Sequence, residues 1–116
     1  MSDGKVWGTN TEIFRNDLCS VNLLHIERGG VCSFHKHVSK YNKFHVISGA
    51  LEIRTECGST LLHSGETAIT RPGELHLFRG VSSAVVVEVM YVQYDPEDID
   101  RKVPGYLEGY PDVEAD

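Results

Sequence analysis

The sequence predicts an all-β domain of the sandwich or barrel kind. Three observations carry that expectation. The β-favouring runs are short and are separated by Gly, Pro and Ser. They recur at roughly 8–12 residues with turn signals between them. No amphipathic stretch with helical period reaches a convincing length.

The elements follow in order. Residues 18–28 form the first long run, and Gly29-Gly30 ends it. Residues 31–37 read as the next strand, followed by a polar stretch over 38–43. Residues 44–48, Gly49 and residues 51–55 read as a hairpin about the glycine. Cys57-Gly58-Ser59 is a turn, then 60–63 a strand; Ser64-Gly65 turns again before 67–70. Pro72-Gly73 makes the next turn, before 76–79. The last strand, 84–94, is rich in Val. At Asp95-Pro96 the tail begins. Pro96 is expected to open one helical turn over 96–101, with Asp95 as N-cap. Beyond Pro104-Gly105 the chain turns acidic, and a mobile loop is expected. No internal repeat or low-complexity tract interrupts it.

A length of 116 residues is one domain's worth. The expected division is a single domain over 1–116, with a barrel core at about 18–94 and a tail at about 95–116. The formal net charge is −6, much of it in the tail, which argues against broad nucleic-acid binding. No apolar stretch approaches the roughly 20 residues that span a bilayer, and no signal peptide is visible. A cytoplasmic protein with no membrane or nucleic-acid partner is expected. The cysteines, Cys19, Cys32 and Cys57, are odd in number and lack CxxC spacing, so no disulfide framework is read from them. They read as reduced thiols serving as small buried hydrophobes. Cys32 as a metal ligand is the minority reading, because strand alternation puts it on the face opposite His35.

The chemistry concentrates in the histidines. His35 and His37 stand two apart, and on a strand such positions share a face. Two imidazoles on one face suit two adjacent positions around a metal ion. An isolated pair of this kind is weak evidence, and its surroundings strengthen it. Gly29 precedes the pair, Asn42 and Gly49 follow, and later come Gly65, Pro72-Gly73 and His76. This pattern resembles the two motifs of the cupin superfamily, RmlC-like jelly rolls: a glycine, HxH, an acidic residue and a glycine, then a glycine, a Pro-Gly turn and a histidine.

The resemblance extends over roughly residues 5–101. Lys5-Val6-Trp7-Gly8 with Glu12 is similar to the entry of small cupins related to sugar-phosphate isomerases. Val87-Glu88-Val89 and the acidic segment 95–101 resemble the end of the cupin domain in type II mannose-6-phosphate isomerases. What the resemblance implies is a cupin double-stranded β-helix, or jelly-roll barrel. It also implies a divalent metal ion (Zn, Ni, Mn or Fe) on His35, His37 and His76, with position 42 as fourth ligand. The usual fourth ligand is a glutamate, and here Asn42 stands in its place. Either its amide oxygen binds the ion as a neutral ligand, or Asn42 only shapes the loop and three histidines suffice. In a third reading the site is degenerate and holds no metal. With four neutral ligands a divalent ion keeps its full charge, attracts anions and acidifies bound water more strongly.

Glu88 interrupts an apolar run and needs a partner or a function. It either faces water or pairs with Arg79 or Arg54, or it lines the cavity as a catalytic acid or base. His45 is expected to point away from Asn42's face unless a bulge falls at Asn42. His25 either lines the cavity or is a hydrogen-bonded core residue, and His63 faces solvent. Lys36, Lys40, Lys43 and Arg71 either form a basic rim that draws in phosphate or carboxylate, or are ordinary solvated side chains.

Two functional classes follow. One is a metal-dependent enzyme on a small sugar or sugar phosphate, isomerase-like by the resemblance, with an iron-dependent dioxygenase as a variant. The other is a non-catalytic cupin that binds a small anionic or sugar-like ligand. They differ in whether a titratable group such as Glu88 points into the site. A homodimer is expected, with the apolar segment around Val6 and Trp7 crossing to a second subunit.

Overall fold

The computed structural model describes residues 2–92 and 103–115. The fold is all-β, with no helix among the described residues. Among the described residues eleven strands run antiparallel: β1 Ser2–Lys5, β2 Gly8–Arg15, β3 Cys19–Ile26, β4 Tyr41–Ser48, β5 Leu51–Thr55, β6 Gly58–Leu62, β7 Thr67–Thr70, β8 His76–Gly80, β9 Ala84–Tyr91, β10 Gly105–Leu107 and β11 Tyr110–Ala115. Six form one sheet in the order β1-β2-β3-β9-β4-β7, and three form a second in the order β6-β5-β8. The segment before β4 adds to the edge of β8 through bridges at Val31–Arg79 and His35–His76.

The two sheets enclose one core. Leu24, Ile26, Phe44, Val46, Ala84 and Val86 come from the larger sheet, and Leu51, Ile53, Leu62 and Phe78 from the smaller. Strict alternation produces this set. On β4, Asn42, Phe44 and Val46 are buried while Lys43, His45 and Ile47 are exposed. On β9, Ala84, Val86 and Glu88 face inward. β9 lies between β3 and β4, with Asn22 and Phe44 directly opposite Glu88 and with Leu24 and Val46 opposite Val86. Burying each large aliphatic or aromatic side chain contributes about 1.5–3 kcal/mol, so the core needs no covalent cross-link.

Several expectations are corrected. The sheet begins N-terminal to residue 18: β1 and β2 form a hairpin, and β2 pairs along β3. The polar Thr-Asn-Thr-Glu run in β2 hid this strand. Residues 31–37 are not a ladder strand; they meet β8 at two isolated bridges and where the Cys32 N–H donates to the Phe78 carbonyl at 3.2 Å. The Gly49 turn does not close a hairpin, because β4 and β5 belong to different sheets. Gly49 instead carries the chain across the barrel edge at φ 82°, where an added Cβ would collide with the Ser83 carbonyl oxygen. The tail beyond Gly105 is a β10–β11 hairpin rather than a loop. The helical turn expected at 96–101 lies outside the described residues.

Candidate metal centre

His35, His37 and His76 come together at one end of the barrel. His76 opens β8, and its backbone exchanges two hydrogen bonds with His35, N–H to O at 2.8 and 3.0 Å. Pro72-Gly73 is a type II turn, with the Glu74 N–H donating to the Arg71 carbonyl at 3.1 Å and Gly73 at φ 80°. The Gly73 N–H donates to the His37 carbonyl at 2.7 Å, so the turn is tied to the segment that carries the histidine pair. The ring centroids of His35 lie 5.0 Å from His37 and 4.7 Å from His76, and those of His37 and His76 are 5.6 Å apart. One nitrogen from each ring lies within 4.8 Å of the others.

Two tautomers are fixed by acceptor-only partners. His76 Nδ1 lies 2.9 Å from the Glu74 carbonyl and His35 Nδ1 2.8 Å from the Ser33 carbonyl. A carbonyl can only accept, so each Nδ1 carries the proton and each Nε2 keeps a lone pair. His76 Nε2 is buried with no hydrogen-bond partner. An unpartnered buried nitrogen costs free energy, and a metal ion relieves that cost. Burial pulls the His76 imidazole below its usual pKa; the Glu74 carbonyl opposes this, and the nearby His35 adds to it. His37 is lowered for the same first reason, then by His35, His76 and Lys40. Neutral imidazoles are the metal-binding form, and the donor set therefore fits a divalent ion.

Asn42 is 1% exposed and lies inside the barrel, across the ladder from Thr70 and Met90. Its Nδ2 donates to Glu88 Oε2 at 3.0 Å, and its Oδ1 is buried without a donor. Glu88 is 9% exposed, and burial pushes its carboxyl up to about 7 while the Asn42 bond pulls it down. It is neither solvent-facing nor paired with Arg79 or Arg54: both arginines bond Glu52 on the outer face of the second sheet. Sequence reasoning missed the Asn42–Glu88 pair, since the partners are 46 residues apart. It also missed Asn22 and Thr70, which are buried in the same part of the interior. Their only signal was a polar residue at an inward position of an alternating strand.

The remaining candidates separate clearly. His45 is exposed, because the β4 bulge falls between Val46 and Ser48 rather than at Asn42. His63 is exposed as expected, and so is His25, which neither lines the cavity nor sits in the core. The cysteines are free, but none is fully buried, and Cys57 is exposed. Cys32 packs against the core rather than turning away, because its segment is not a regular strand. Its Sγ accepts from the Phe78 N–H at 3.2 Å, and burial raises its thiol pKa. Lys36, Lys40, Lys43 and Arg71 are all exposed. Lys43 sits on the outer face of β4, whereas Lys40 is close enough to act on His37. Arg15 and Lys40 share a hollow with Ser20, Met90 and Tyr91 at this end of the barrel.

Two antiparallel sheets wrapped about a core make a double-stranded β-helix, and the three histidines gathered at one end offer a set of nitrogen donors for a metal ion. No family model matches the sequence, and no curated protein matches it. Solved structures do. The structure of KdgF from Halomonas sp. superposes with a TM-score of 0.72 at 17% identity, covering 80% of this chain and 87% of that one. An RmlC-like cupin from Shewanella frigidimarina gives 0.72 at 13% identity, covering 84% and 86%. A conserved protein with a double-stranded β-helix domain from Klebsiella pneumoniae gives 0.68 at 22%, covering 78% and 81%. At such identities the likeness establishes the fold alone. No helix among the described residues is long and apolar enough to cross a membrane.

Proposed function

We propose that this cupin is a metal-dependent enzyme acting on a small sugar or sugar phosphate, in an isomerase-like reaction. His35, His37 and His76 would hold a divalent ion, with Asn42 Oδ1 as the fourth donor. The single observation that carries the reading is the placement of Glu88: a buried carboxyl bonded to Asn42 and directly across the ladder from Phe44, whose ring lies 6.3 Å from that of His76, with burial pushing its pKa up to about 7. A general acid or base works best with a pKa near the operating pH. A ligand-binding module has no need for such a group, and its placement favours catalysis over passive binding.

When bound, the ion would polarise the carbonyl and hydroxyl oxygens of a substrate. Glu88 would take the proton from the hydroxyl-bearing carbon beside the carbonyl and return it to the carbonyl carbon, while the hydroxyl proton passes to the former carbonyl oxygen. An aldose and a ketose then interconvert through an enediol, with no oxidant or reductant required. Lys40, close enough to act on His37, would anchor an anionic substituent. The likeness of residues 87–89 and 95–101 to the end of the type II mannose-6-phosphate isomerase cupin domain supports the same substrate class.

The test is metal analysis of the purified protein, then a sugar-phosphate screen with that metal restored. Turnover should depend on the metal, and Glu88→Gln should abolish it while keeping the metal. A metal-free protein that takes up no divalent ion, or turnover unchanged in Glu88→Gln, would overturn the reading. We also propose a cytoplasmic homodimer. Val6 is 96% exposed at the β1–β2 turn, although Trp7 packs on Phe78 of its own chain at 4.9 Å between ring centroids. Light scattering should return twice the chain mass, and a monomer would overturn it.

A further inference from the structure

We infer that Glu88 is a positioning residue for Asn42: it holds the amide so that the oxygen, not the nitrogen, is presented as a donor to the histidine centre. The inference rests on the metal-binding reading above and adds what sets the fourth position. An amide is nearly symmetric in shape, and only its hydrogen-bond partners decide which way it lies. Inside this barrel the amide meets one carboxyl group: Glu88 Oε2, 3.0 Å from Asn42 Nδ2. In its ionised form Glu88 only accepts, and it then fixes the nitrogen toward β9. The oxygen is thereby turned away from β9 into buried space where no protein group donates to it.

Among the described residues three buried side-chain atoms lack a partner: Asn10 Oδ1, Asn42 Oδ1 and His76 Nε2. His76 Nε2 belongs to the histidine centre, and Asn42 is the inward neighbour on β4 of Phe44, whose ring lies 6.3 Å from that of His76. Asn42 Oδ1 and His76 Nε2 are both lone-pair donors, and a buried acceptor without a hydrogen-bond donor is costly. A cation satisfies them together, whereas a protein hydrogen bond would satisfy only one.

At position 42 an amide avoids placing two carboxyl groups side by side. A glutamate there would set its carboxyl against that of Glu88 in a buried site, where two like charges at hydrogen-bond distance force one to remain protonated. The chain keeps the carboxyl one strand away, on β9, and uses a neutral oxygen beside the histidines. The orienting group and the donor are then two residues that act as one unit.

Residues that act through one another give non-additive effects, so a double-mutant cycle tests the unit directly. The readout is Co2+ affinity by chelator competition, together with the visible Co2+ spectrum, on folded metal-free protein. Glu88→Leu should weaken Co2+ binding about 10–100-fold, the range for losing an orienting partner of a ligand. Asn42→Ala should weaken it to a similar degree. The double variant should be no weaker than the worse single one. Glu88→Gln, whose amide oxygen still accepts from Asn42, should restore tight binding and the wild-type spectrum. A merely structural Glu88 would change the melting temperature of the metal-free protein and leave the spectrum alone.

Additive losses, or a Glu88→Leu variant that binds Co2+ as tightly as wild type, would overturn the positioning role while leaving the histidine site standing. His76→Ala is the control that separates the two readings. If wild type and His76→Ala are equally indifferent to Co2+, the metal-binding reading fails, and the positioning role with it.

Discussion

The two ends of the barrel interior are built from the same strands and differ in almost every chemical respect. On β3 the inward positions change from Asn22 to Leu24 and Ile26; on β4, from Asn42 to Phe44 and Val46. On β9 they change from Glu88 to Val86 and Ala84, and on β8 from His76 to Phe78. The β3–β9 ladder keeps the change aligned, with Asn22 opposite Glu88 and Leu24 opposite Val86, whereas on β4 it falls one inward pair further along, with Asn42 opposite Met90 and Phe44 opposite Glu88. One half therefore supplies the hydrophobic driving force, and the other holds polar groups that cost free energy to bury. A polar residue at an inward position is tolerated because the next residues along the same strand are fully apolar.

The strongest way to break that contrast is to weaken the apolar half alone. Leu24 is buried and lies opposite Val86, within the closed core. Leu24→Ala should destabilise the protein by about 2–5 kcal/mol, the range for cutting a buried leucine to a methyl group. Chemical denaturation measures it. Metal uptake per folded molecule should be unchanged, because the histidines lie at the other end. A loss of metal binding with native stability would mean that the two halves are not separable.

The next effect sharpens the contrast by pH. Burial raises Glu88 from an ordinary 4.5 to about 7. The folded metal-free protein therefore holds this proton more tightly than the unfolded chain. The stabilisation is complete below pH 4.5 and is lost as pH rises through about 7. The change corresponds to about 3 kcal/mol. His37 and His76 act in the opposite sense: their pKa values are lowered, so they cost stability as pH falls through 6.5. Comparing wild type with Glu88→Gln cancels the histidine contribution. The stability difference should move against wild type by about 3 kcal/mol from pH 4 to pH 8. A difference flat with pH would show that Glu88 is solvated.

The apolar half was largely legible in the sequence, and the polar half only in part. The β7 run and the cores of β3, β5, β8 and β9 follow from alternation bounded by Gly and Pro turns. The three histidines were legible because HxH spacing and a Pro-Gly turn both leave marks in the chain, although the HxH segment is held by isolated bridges rather than a ladder. Glu88 was visible as an interruption of a valine run, but its partner was not, since Asn42 and Glu88 meet only when β4 and β9 pair. The short edge segment at 31–37 and the sheet change at Gly49 were misread for one reason. Local pattern reports strand propensity, while which strand lies beside which is decided by packing across the barrel.

The smallest expected effect tests the outward side of the same alternation. His25 and His45 sit on β3 and β4 one residue from buried core positions, yet both are exposed. They face outward while Leu24, Ile26, Phe44 and Val46 face inward, so period two alone separates a histidine in the wall from one in the site. Replacing either by Ser should change stability by no more than about 0.5 kcal/mol, as for surface positions without special contacts. Metal stoichiometry and affinity should stay at the wild-type level, in contrast to His76→Ala. A drop in metal affinity in His45→Ser would have a definite structural meaning. It would require the β4 register to slip by one residue, which would also turn Phe44 and Val46 out of the core and could not occur without a large loss of stability. Measuring both quantities on one variant therefore distinguishes a local ligand from a shift of the whole strand.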